Sequence, residues 1–98
     1  MDLNLVVVCG TLYEQPKVFN VDGDTNLVRL KVRTETNEGV NIVSVDWSQV
    51  TDDELLAAHL LKDDRVWVAG YLYSAGFGSY LHASTVQRQD GTDNKEDD

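Results

Sequence analysis

Between Asn26 and Glu35 apolar and polar side chains alternate, with Val28, Leu30 and Val32 on one face and Leu27, Arg29, Lys31 and Arg33 on the other. Successive side chains of a strand point to opposite sides of a sheet, so this pattern predicts a strand with one buried and one wet face. Upstream, Leu3 to Leu12 is a continuous apolar run interrupted by Gly10, which predicts a largely buried strand that bends at the glycine. Pro16 and the Asp22-Gly23-Asp24 cluster separate the two. Val18–Val21 is therefore expected as a short extended piece that turns at Asp22–Asp24 into the next strand. Thr36–Gly39 reads as a turn, and Val40–Trp47, rich in β-branched residues, as the strand that pairs back.

The period then changes. Leu55, Leu56, Leu60 and Leu61 stand at helical spacing behind Thr51, with Glu54 three residues on as in a capping box; a helix of about ten residues is expected. From Arg65 to Tyr73 period two returns, with Val66, Val68, Gly70 and Leu72 inward and Arg65, Trp67, Ala69, Tyr71 and Tyr73 outward. A glycine-rich turn then leads to a last strand from Tyr80 to Arg88. Three strands, a helix and two strands are the order of an OB-fold, an all-β, five-stranded Greek-key barrel with one helix between strands three and four.

A chain of 98 residues holds one core. The last nine residues, 90–98, carry five acids, one lysine and no apolar side chain, so a disordered acidic tail is expected beyond a 1–89 domain. No apolar run approaches the roughly 20 residues that span a bilayer. The start has an acid before a short apolar stretch, where a secretory signal has a basic cluster. No membrane segment is expected, and a cytoplasmic location follows by default. Cys9, the single cysteine, lies inside the apolar run and is expected to be a buried, inert thiol. His59 and His82 are far apart and read as surface or edge residues. Neither a metal nor any other cofactor is expected, and without a nucleophile elbow, phosphate loop or metal pair the chain does not read as an enzyme.

The formal charge is −9, which argues against non-specific adhesion to polyanions, so that any such partner must meet a local patch. Four of the eight basic residues fall between Lys17 and Arg33, while the helix and its flanks hold Asp52, Asp53, Glu54, Asp63 and Asp64. This polarity suits a strip that attracts phosphates; the alternative is the ordinary solvated side of an antiparallel strand.

Several local stretches are similar to the bacterial single-stranded DNA-binding protein family over residues 3–86. NLVVVCGTLYEQP resembles the family's opening strand, DGDTNLVRLKV its glycine-containing turn into the second strand, and HLLKDDRVWVAGYL its segment linking helix and fourth strand, with Leu60, Lys62, Val66, Val68, Gly70 and Leu72 in place. The resemblance implies single-stranded DNA held by stacking on aromatics and by phosphate contact with cations, in the service of replication, recombination or repair, and assembly as a homo-oligomer, tetramer or dimer. It assigns Arg29, Lys31 and Arg33 to the binding face, with Phe77 as the aromatic after strand four and Trp47 near the aromatic ending strand three. Alternation sets Trp47 with Val43 and Val45, which leaves it open between base stacking and the core. Trp67 and Tyr71 are expected at a subunit interface and Tyr73 with Phe77 at the ligand.

The family pattern is also thinned of positive charge. Its basic residue in the first-strand Gly-x-Leu segment is Thr11 here, its arginine before the strand-four aromatic is Ala75, and its Lys-Gly pair is Lys62–Asp63. The tail ends Asp97–Asp98 without the terminal apolar residues that recruit partners in the family. Sequence-tolerant binding of single-stranded DNA is the expected function. The alternative is a short, divergent paralogue acting as a protein-interaction module with weak or no DNA binding.

Overall fold

A computed structural model describes residues 4–75 and 78–89. The opening apolar run forms β1 (Val6–Leu12), and the next segment forms a hairpin of β2 (Lys17–Asp22) and β3 (Thr25–Thr36). Gly23, with φ at +57°, makes the turn, a conformation glycine adopts without steric cost. β4 (Gly39–Thr51) returns along β3, α1 (Asp52–Ala58) follows, and β5 (Arg65–Ala75) and β6 (Gly78–Arg88) complete the chain. The sheet order is β1-β5-β6-β4-β3-β2, and β1 also pairs with β3 through Thr11–Arg33 and Leu12–Val32. Five strands thus close a barrel, as expected, while β2, expected as a short extended piece over Val18–Val21, is appended to β3 as an edge strand. The helix comes after β4, the third strand of the closed barrel.

Closure sets the inward rows against one another. Leu12, Val28, Leu30, Val32, Val45, Val66, Val68 and Leu81 are fully buried in one cluster. Two bulges adjust which residues join it. Across β3 and β4, Asn26 pairs with Val50 and Val28 with Trp47, so β4 carries an extra residue, and Gln49 takes up the slack at φ +57°. Trp47 and Val50, three apart, therefore both face inward. On β6 the extra residue is Ser84, which lets Ala83 and Val86 both point into the core.

Among the described residues Asn26 is the buried polar side chain of this core. Its Nδ2 donates to the Val50 carbonyl at 3.1 Å and to Asp52 Oδ1 at 2.8 Å, and its Oδ1 accepts from Asn20 Nδ2 at 3.3 Å. These bonds satisfy a group that would otherwise be costly to bury, and they tie the β2–β3 hairpin to the start of α1.

The structure corrects three expectations. The helix has seven residues because His59 adopts φ +48° and ends it; Leu60, expected on the helix, is buried beyond its end, and Leu61 is exposed. Leu72 is half exposed, at 50%, although alternation sets it inward. Its β6 partner Leu81 is fully buried, but Leu72 lies two residues past Gly70, the last residue of β5 that pairs with β1, so that strand does not cover it. Cys9 is exposed. It pairs with Trp67 on the outer face of the β1–β5 ladder, while its neighbour Gly10 is the buried residue. A run that is apolar on both faces carries no alternation from which to tell the two apart.

Candidate nucleic-acid interface

β3 is long and half-wet, so its outward residues are presented to solvent in a row: Arg29 and Lys31 are exposed and Arg33 is partly covered. The β2–β3 register sets Lys17 beside Arg29 and Phe19 beside Leu27. The Arg29 guanidinium lies over the Phe19 ring, 5.6 Å from its centroid. On the other flank, β4 sets Asp46 against Arg29 and Ser44 against Lys31, and the parallel pairing of β4 with β6 brings Tyr80 alongside. A cleft of about 340 Å³ results, lined by Lys17, Phe19, Arg29, Lys31, Tyr80 and the acids Glu14 and Asp46, together with residues of the β3–β4 ladder.

Two of the cations are paired inside this cleft. Lys17 Nζ stands 3.8 Å from Glu14 Oε2, and Arg29 Nε 3.5 Å from Asp46 Oδ1. Arg33 pairs along its own strand with Glu35 at 3.4 Å. Among the described residues Lys31 makes no ion pair. Lys17 and Arg29 are largely exposed and Arg33 is partly so, so each pair is worth about 0–1 kcal/mol and is readily exchanged for another anion.

The residues singled out in the sequence are only partly brought together. Arg29 and Lys31 line the cleft, and Arg33 continues their row beyond it. Tyr73 is exposed and stands opposite Tyr80 in the β5–β6 register, one strand from the cleft wall. Trp47 occupies the second of its two open places, the core, with 9% exposure. The bulge at Gln49 comes after it, so alternation with Val45 is unbroken up to Trp47 and its ring is turned away from the outward face. Phe77 lies outside the described residues. Phe19, Lys17, Tyr80, Glu14 and Asp46 were not singled out as site residues. Folding the chain about Gly23 would have set Lys17 against Arg29 and Phe19 against Leu27, whereas Tyr80 arrives only through a pairing of distant strands.

Other chemistry is sparse. Among the described residues no group of three His, Cys, Asp or Glu side chains could hold a metal ion, and no helix is long and apolar enough to cross a membrane.

No family model matches the chain, and no curated protein matches its sequence. Solved structures do match. Wild-type single-stranded DNA-binding protein from Thermus aquaticus superposes with a TM-score of 0.71 at 25% identity over 95% of this chain. The second single-stranded DNA-binding protein of Mycobacterium smegmatis gives 0.72 at 23% identity, covering 88% of both chains. The chain has the fold of the single-stranded DNA-binding proteins. It spans 46% of the length of the Thermus protein. The same OB-fold occurs in the dimeric N-terminal domain of PriB from Thermoanaerobacter tencongensis, with a TM-score of 0.71 at 12% identity over 89% of this chain and 97% of that one. Against this fold the Lys62–Asp63 departure acquires a geometry. Asp63 sits at φ +75°, in the left-handed region where glycine, the family's residue, is unstrained.

Proposed function

We propose that the chain binds single-stranded DNA with little regard to sequence, as a component of replication, recombination or repair. The observation that carries this reading is convergence: Lys17, Arg29 and Lys31 meet Phe19 and Tyr80 in one cleft of a chain whose formal charge is −9. Phosphates exchange with the carboxylates of the Lys17 and Arg29 pairs, and a base stacks against the half-exposed Phe19 ring beside the Arg29 guanidinium. Such stacking contributes about 1–3 kcal/mol per base and tolerates any base, since each has a π-face. Arg33 and Tyr73 extend the path to either side, and Phe77 keeps the ligand role that the family resemblance gives it. The fold shared with proteins named for single-stranded DNA binding supports the same reading.

Trp47 is buried, so the test places the fluorophore on the DNA. Anisotropy of a labelled oligo-thymidine is expected to show saturable binding. The slope of log affinity against log salt should lie between about −0.7, for one net phosphate contact, and about −2 for three. Phe19→Ala is expected to weaken binding by about 1–3 kcal/mol. No binding even at low salt would overturn this reading.

A second reading, a protein-interaction module that assembles with itself or a related subunit, draws on the β1–β5 ladder. Val7 on β1 and Tyr71 on β5 are exposed on the outward face that carries Cys9 and Trp67, and Leu5, just before β1, is exposed as well. β1 meets β3 only at Thr11 and Leu12, so much of one β1 edge is available to another strand. The dimeric PriB domain of the same fold supports assembly as a homo-oligomer.

A further inference from the structure

We propose that Glu14 and Asp46 make base stacking a requirement for binding, by neutralising the cleft's cations from within. This inference rests on the nucleic-acid reading above. Three cations and two acids line the cleft, which leaves it a formal charge of only +1. The carboxylates sit deeper than the groups they pair with: the Glu14 and Asp46 side chains are 34% and 28% exposed, against 65% for Lys17 and 58% for Arg29. Asp46 is held there by the β3–β4 register, which sets it directly across from Arg29.

A phosphate that reaches Lys17 or Arg29 must therefore displace a carboxylate that remains close by and repels it. The displaced carboxylate takes up a counterion as the cation sheds its own interaction, so net ion release falls from three towards one. A ligand that offers only charge gains little from such a site. One that also stacks on the half-exposed Phe19 ring, beside the Arg29 guanidinium, gains the stacking contribution in addition to any charge contact. Bases are free to do this in a single strand, whereas in a duplex they are stacked on one another. The two acids thus act as specificity residues that reject bare polyanions.

The test compares wild type with the Glu14→Gln, Asp46→Asn double variant. Each protein is titrated with a labelled oligo-thymidine and with an abasic phosphodiester strand of the same length, over a range of salt. Both substitutions keep side-chain size, and thermal melting of the two proteins checks that the fold is unchanged. For wild type, a slope near −0.7 with oligo-thymidine and no measurable hold on the abasic strand at about 0.15 M salt are expected. In the variant, oligo-thymidine affinity should rise about two- to five-fold for each carboxylate removed, from the usual strength of such pairs. Its slope should steepen towards about −2, and binding of the abasic strand should emerge. If wild type binds neither strand, the nucleic-acid reading itself fails. If wild type binds oligo-thymidine but the variant shows the same slope and still ignores the abasic strand, or binds thymidine more weakly, that reading stands and the carboxylates are not selectors.

Discussion

Gly70 shows how little room the barrel leaves to a single side chain. It faces inward on β5 opposite Ala83, and a Cβ there would run into the His82 carbonyl oxygen and lie 2.8 Å from the Ala83 Cα. These are backbone atoms of a paired strand and cannot step aside as a flexible side chain can. Gly70→Ala is accordingly expected to cost about 1–3 kcal/mol, the usual penalty of overpacking, read as a lowered urea midpoint. A midpoint within error of wild type would show that the β5–β6 ladder yields more easily than its geometry indicates. At the same scale, sequence spacing alone settled the buried places of Val28, Leu30 and Val32, because each sits in an unbroken alternation. It could not place Cys9, in a run with no polar partner face, or Leu72, where the period continues past the last β1–β5 pair.

Among the elements, α1 depends most on its boundary. Seven residues make about two turns, none of them is buried, and only Leu55 and Ala58 pack against the core. A helix this short is marginal by itself, so its first turn is held by Thr51. The Thr51 hydroxyl accepts from the Glu54 amide at 3.1 Å, and the Glu54 carboxylate accepts from the Thr51 amide at 2.9 Å. Thr51→Ala is expected to cost about 1 kcal/mol, seen as a lower urea midpoint with an unchanged slope. The start of this helix was legible, since a capping box is a local motif. Its end was not: four leucines at helical spacing predicted a longer helix, but Leu60 is buried from a loop in which Gln15 Nε2 donates to the Leu60 carbonyl at 3.2 Å. Packing against a distant segment overrode the local period there.

Over the whole molecule the cations are unevenly spread, and that distribution carries the proposed function more than the net charge does. Lys31 opens onto the cleft, while Arg88 lies on the helix side, sharing a groove with Glu54, Ala57 and Ala58. Lys31→Glu and Arg88→Glu change the formal charge by the same amount. Fields at a protein surface are screened within about 8–10 Å at moderate salt, so only the first substitution should matter to the ligand. Lys31→Glu is expected to abolish measurable oligo-thymidine binding at about 0.15 M salt, with Arg88→Glu within about two-fold of wild type. Equal losses from both would mean that net charge rather than the cleft governs binding.

The chain by itself determined its strands, the start of its helix, their order along the sequence and the alternating cation row of β3. All of these are encoded by neighbours a few residues apart, through the two-residue pleat and the cap. The tertiary structure alone decided that β2 is a full strand presenting Phe19 beneath Arg29, that Tyr80 joins the same cleft through β4–β6 pairing, and that Glu14 and Asp46 share it. It also decided that Trp47 belongs to the core. Those outcomes depend on closure of the sheet and on where the bulges at Gln49 and Ser84 fall, and a one-residue bulge reverses which side of the barrel every later side chain faces.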